Sequence, residues 1–172
     1  MKKLLATLSL TVLLAACATA PQLAPPASIQ APAPIVGNTG KFMSPYTEDG
    51  TVARWVEKGR HAAAGANIGG FVGAQAGAKL AENIPFVGGL IGQKVGAEMG
   101  RAVALNMVGG EAFIKETSDL SFNSVEDLAV YMYAKNSTHK DYAQVLELTQ
   151  KIYPDLAQAY YPAIVRASAG KR

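Results

Sequence analysis

GANIGGFVGAQAGAKLAENIPFVGGLIGQKVGAEMG, residues 65–100, sets glycine at positions Gly65, Gly69, Gly73 and Gly77, and again at Gly88, Gly92, Gly96 and Gly100. A glycine inside a helix costs roughly 1 kcal/mol relative to alanine, so eight of them approach the whole stability of an ordinary domain. Something must offset that cost. Residues four apart lie almost above one another on a helix, so each run forms a flat strip without side chains, continued by Ala81 and Ala104. Flat strips let backbones approach until van der Waals packing and weak Cα–H···O contacts compensate. Between the runs, Glu82-Asn83-Ile84-Pro85 reads as a break with Pro85 placed to start the next helix. The spacing predicts a helical hairpin, residues 62–81 against 86–105, each about 30 Å long at ~1.5 Å per residue.

Whether such a hairpin enters a bilayer turns on its charges. The stretch 62–78 carries none, whereas the second helix holds Lys94, Glu98 and Arg101 on the face opposite the glycines. Lys94 and Glu98 stand four apart and can pair. Charge at mid-membrane is expensive, so a lone two-helix span with this face toward lipid is disfavoured. Three arrangements remain open: a periplasmic hairpin with the charged face in water, a hairpin lying in the membrane surface, or an oligomer whose charged faces line a wet interior.

The N-terminus, MKKLLATLSLTVLLAACATA, combines a basic start at Lys2 and Lys3, an apolar run over 4–14 and small residues before Cys17. About 11 apolar residues are too few for the ~20 of a membrane span, so residues 1–16 read as a secretory signal. The run Leu14-Ala15-Ala16-Cys17 resembles the lipobox of bacterial lipoproteins. That resemblance implies cleavage before Cys17 and acylation of its sulfur. Two or three acyl chains, at ~0.8 kcal/mol per buried methylene, hold a protein on a membrane almost permanently. By the sorting rule of enteric lipoproteins, Ala18 in place of aspartate points to the outer membrane. With the lone cysteine acylated, no thiol remains for a disulfide.

Lipobox and glycine runs together resemble the glycine-zipper domains of bacterial outer-membrane lipoproteins, a class that includes the rickettsial surface-antigen family. The likeness covers Leu14 to Cys17 and residues 65–104. It implies an envelope role and membrane association, and it does not imply an enzyme.

Composition bounds the rest. The formal charge of +3 falls to 14 basic against 13 acidic side chains once Lys2 and Lys3 leave with the signal, so the basic pI is no argument for nucleic acid or an anionic surface, and no nucleic-acid partner is expected. Residues 17–40 are rich in proline and alanine and uncharged, and are expected to form a disordered tether lifting the remainder from the headgroups. Residues 41–61 form a short amphipathic segment in which Val52, Trp55 and Val56 share a face. Trp55 and Tyr46 either anchor at a membrane interface or pack onto the protein. Lys58 and Arg60 would suit a headgroup boundary.

After the hairpin, 62–108, a C-terminal helical module spans 109–172. Gly109-Gly110 marks a joint and EAFIKETSDLSFN a linker with some helical content. SVEDLAVYMYAKN opens with a Ser-x-x-Asp arrangement at Ser124 and Asp127 and ends at Asn136. A second helix is expected over 139–153, and a third after Pro154, bent or broken at Pro162. Six of the seven tyrosines lie between 131 and 161, a stripe that suits core packing first, or else a partner-binding or membrane-interface surface.

Catalytic signals are absent from the sequence. His61 and His139 are the only histidines, His139 is expected to be solvated at a helix start, and no Cys/His metal spacing occurs. GGFVG and GAQAGAK lack the GK[ST] ending of a phosphate loop. The expectation is a mainly α, non-enzymatic lipoprotein on the periplasmic side of the outer membrane, with no cofactor or metal. Its partners would be membrane lipids through Cys17 and copies of itself or other envelope proteins. The leading reading is a structural or scaffolding component. A channel-forming oligomer and an accessory lipoprotein of a secretion or surface-assembly machine are the alternatives.

Overall fold

The computed structural model describes residues 22–65 and 89–170. The fold is mainly α, with six helices and one small sheet among the described residues. Helix α1 spans Arg54–Gly65, α2 Gly89–Val108, α3 Gly110–Glu116, α4 Val125–Asn136, α5 Tyr142–Ile152 and α6 Pro154–Ala169. Strands β1 (Ile35–Val36), β2 (Phe42–Met43) and β3 (Leu120–Phe122) form an antiparallel sheet in the order β1-β3-β2.

Local chemistry accounts for the C-terminal helices. The Ser124 hydroxyl accepts the Asp127 N–H at 3.2 Å, capping α4, and Glu126 and Asp127 complement the positive end of its dipole. In α5 the buried residues Val145, Leu148, Thr149 and Ile152 follow the i, i+3, i+4, i+7 spacing of one helix face. Thr149 donates its hydroxyl to the Val145 carbonyl at 2.6 Å, so its burial leaves no open donor. Pro154 occupies the first turn of α6, where its missing N–H costs nothing. The expected break at Pro162 does not occur. Pro162 and Gln158, whose carbonyl loses its helical donor, are both exposed, so water can take the vacated place.

The segment read as a linker after Gly110 supplies a helix and the central strand. Gly109 and Gly110 have φ of +100° and +87°, the left-handed conformation that separates α2 from α3. Strand β3 pairs Ile35 with Ser121 and Val36 with Leu120 on one side, and Phe42 with Phe122 and Met43 with Ser121 on the other. The buried Ser121 hydroxyl accepts the Gly40 N–H at 3.0 Å and donates to the Gly37 carbonyl at 2.7 Å, tying down the crossing between the edge strands. A Cβ at Gly40 would lie 2.8 Å from the Phe122 nitrogen, so the chain can pass there only as glycine.

Residues 22–40 are therefore not the free tether expected from composition. Ala24 donates its N–H to Ser168 Oγ at 3.0 Å, and its carbonyl accepts the Tyr133 hydroxyl at 3.1 Å. Ile29 is buried, and the 3₁₀ turn at Pro26–Ser28 packs on α4. Proline excludes helix and central strand, but an uncharged extended chain can still lie along an apolar surface. Residues 17–21 lie outside the described residues.

One hydrophobic core draws on residues from Ile29 to Ile164, so the segment 41–61 and the module 109–172 belong to a single unit. Trp55 and Tyr46 are both fully buried, which removes the membrane-anchor reading. Trp55 donates its indole N–H to Ser118 Oγ at 3.1 Å, and that hydroxyl donates to the Ile114 carbonyl at 2.7 Å. Val52 lies before α1 and bridges to Tyr46. Along α1 the partners fall in reverse order: Trp55 meets Ser118, the Lys58 ammonium lies 4.6 Å from the Phe113 ring, and Gly59 meets Val108. Helix α1 thus runs antiparallel to the chain from 108 to 118. Lys58 is engaged by that ring, and Arg60 pairs with Asp141 at 3.0 Å.

Candidate functional site

Two features stand out: the small-residue face of α2 and a cationic cavity at its C-terminal half. Ala104 and Val108 are fully buried in the core. Gly100, one turn earlier on the same face, has nothing within 4 Å of where a Cβ would stand. Within one turn the filled face gives way to a half-buried glycine with open space at its Cβ among the described residues. Gly92 and Gly96 lie within α2, and Gly65 is the last residue of α1. Gly69, Gly73, Gly77, Gly88 and Cys17 lie outside the described residues, as does the proposed turn between the two glycine runs.

Of the charged residues of α2, Arg101 has its partners within the described domain. Lys94 lies in the helix, and Glu98 is exposed. Arg101 turns back to the domain, donating Nε–H to the Ile152 carbonyl at 2.9 Å and pairing through Nη2 with Glu111 at 2.5 Å. A helix leaves its last carbonyls without internal partners, and the C-terminal end of α5 offers one to this guanidinium. Arg101 thereby ties α2 to α3 and α5.

Around Arg101 lies a cavity of about 180 Å³. Its apolar lining comes from Met43, Leu105, Ile114 and Ile152, and its polar lining from Lys41, Arg101, Glu111, Lys115 and Tyr153. The Tyr153 hydroxyl oxygen accepts the Met43 N–H at 3.0 Å, leaving its own proton to donate. Its ring meets Phe42 edge-to-face at 5.4 Å. Burial pushes this hydroxyl up to about 12, so it is a donor at neutral pH. Lys41 holds its ammonium 5.1 Å from the Phe42 ring.

The tyrosine stripe packs mostly into the protein. Tyr131 is buried, Tyr133, Tyr142, Tyr153 and Tyr160 are partly buried against the core, and Tyr161 is 46% exposed. Tyr142 and Tyr160 share a hydroxyl–hydroxyl contact of 2.5 Å. Tyr46 packs its ring 5.6 Å from His139, which is half-buried rather than solvated. The Tyr46 hydroxyl has no partner among the described residues. Burial, then the charge of Asp141, holds this hydroxyl far above the usual phenol range; burial and the Tyr160 contact do the same for Tyr142.

The folded protein therefore holds these phenolic protons more tightly than the unfolded chain, whose tyrosines ionise near 10.0. The sign follows: this stabilisation is complete below pH ~10 and is lost as pH rises through the folded values. Tyr153 alone accounts for on the order of 2–3 kcal/mol across that window. Urea unfolding followed with tyrosinate absorbance should show constant stability up to pH ~10 and a steep fall above it. Ionisation of all the tyrosines near pH 10 with helicity retained would contradict this.

Sequence reasoning singled out Arg101, though for another role, and missed the other cavity residues. They come from four segments with no common spacing, so no local pattern announces them. The chain matches no family model, no curated protein and no solved structure.

Proposed function

We propose that the chain is a lipid-anchored protein of the bacterial outer membrane, held at its periplasmic side by acylated Cys17, with a structural role exercised by self-association through the glycine face of α2. The observation that supports the reading is the change of packing along α2: Ala104 and Val108 are filled, whereas Gly100, half-buried, has no described atom within 4 Å of where a Cβ would stand. A glycine there gains nothing within the described chain. Its cost in helix stability is offset if a second backbone approaches.

The docked N-terminal segment refines the geometry. Leu23 already packs against the core, and the few residues from Cys17 to Leu23 reach at most ~20 Å. An acylated Cys17 would hold the domain close to the headgroups instead of lifting it away. The channel-forming reading has less support, because Arg101 is engaged within the domain. No helix among the described residues is long and apolar enough to cross a membrane.

Gly100→Leu tests the proposal, since open space at this position leaves the packing of the described residues intact. The variant should match the parent in unfolding free energy, or exceed it by up to ~1 kcal/mol from helix propensity. It should lose the oligomers trapped by amine cross-linking in envelopes. Unchanged cross-linked species would overturn the role of this face.

A further inference from the structure

We propose that the cavity beside Arg101 is a binding site for a phosphate group. It gathers three cationic side chains, Lys41, Arg101 and Lys115, against the single carboxylate of Glu111. The mature chain as a whole is nearly neutral, so this local surplus of two positive charges is a concentration rather than a sample of the surface. Like charges gathered at one opening repel, and an anion relieves that repulsion.

The donors suit an oxyanion. Arg101 uses Nε and Nη2 within the protein, leaving the N–H groups of Nη1. Neither Lys41 nor Lys115 has an ion-pair partner among the described residues. Tyr153 lines the same space with a hydroxyl whose oxygen is already occupied by the Met43 N–H. One arginine, two lysines and a tyrosine thus line one opening. Arg101 and Tyr153 are fixed by their bonds to Ile152 and Met43, so part of the site is formed before any ligand arrives.

Size narrows the class. About 180 Å³ equals the share of roughly six waters in the liquid, and falls below the ~300 Å³ at which sites for drug-sized ligands begin. A phosphate with a small substituent fits within it. Met43, Leu105, Ile114 and Ile152 give the substituent an apolar wall. Such a group can belong to a free phosphate monoester or to a lipid headgroup, and the test separates the two.

The exported full-length mature chain carrying Cys17→Ala is titrated with inorganic phosphate by calorimetry at low ionic strength, and sedimented with phosphatidylglycerol or phosphatidylcholine vesicles. Saturable one-site binding of inorganic phosphate is expected. It should weaken about tenfold or more in Lys41→Gln/Lys115→Gln and tighten several-fold in Glu111→Gln, because removing the carboxylate raises the site's net charge. Vesicle binding with the same response, not displaced by free phosphate, assigns the group to a headgroup. Vesicle binding that is displaced, or absent, assigns it to a free ligand. No saturable binding of either probe would overturn the proposal. So would equal weakening by Lys140→Gln, which lies at the opposite end of α5 and would reveal diffuse charge attraction only. These readouts require neither acylation nor self-association, so they stand or fall apart from the envelope reading.

Discussion

Trp55→Ala is expected to lower the unfolding free energy by about 3–5 kcal/mol, enough to leave much of a marginally stable domain unfolded. The indole is fully buried, and its loss removes the largest side chain of the core. It also removes the donor to Ser118, although the Ser118 hydroxyl keeps its bond to Ile114. Trp55→Phe retains most of the apolar volume and should cost about 1–2 kcal/mol. Urea unfolding followed by circular dichroism measures both. Near-equal small losses for the two would show that the indole is not a central packing element.

Gly59→Leu should be nearly as damaging, at more than ~3 kcal/mol, although leucine is the better helix former. A Cβ at residue 59 would stand 2.7 Å from Leu148 Cδ2 and 2.8 Å from Val108 Cγ1, where α1 meets both α2 and α5. Leu148 can turn aside, but the β-branched Val108 is stiff and fully buried. Further side-chain atoms have nowhere to go. The contrast with Gly100→Leu is the informative part: the same change in two helices that pack on each other should unfold one variant and spare the other. Equal tolerance at both positions would mean that α1 does not approach α2 and α5 as closely as the structure places it.

These two positions also mark how far the sequence was legible. Helix α4 could be read from Ser124 and Asp127, and α5 from an apolar face that includes Val145, Leu148 and Ile152, because capping and amphipathicity are local. Gly59 belongs to neither four-step run, so nothing near it indicates a close crossing. Trp55 was ambiguous because an aromatic beside basic residues suits both a core and an interface. Long-range partners decided it: Ser118 took the indole N–H, while Phe113 and Asp141 engaged Lys58 and Arg60. Strand β3 is only three residues long and gains its identity from two edge strands far away in the chain. The N-terminal segment misled for a related reason. Composition reports what Pro- and Ala-rich chain cannot form by itself, not the surface that Tyr133 and Ser168 offer it.

The proposal that lipid rather than polypeptide holds this protein at a membrane is tested most directly by alkaline carbonate washing of envelopes from cells exporting the Cys17→Ala variant through a cleavable signal. The variant should wash off as a soluble protein, while the parent chain stays with the membrane. Resistance of the variant to extraction would contradict the claim and place the glycine-bearing helices within the bilayer itself.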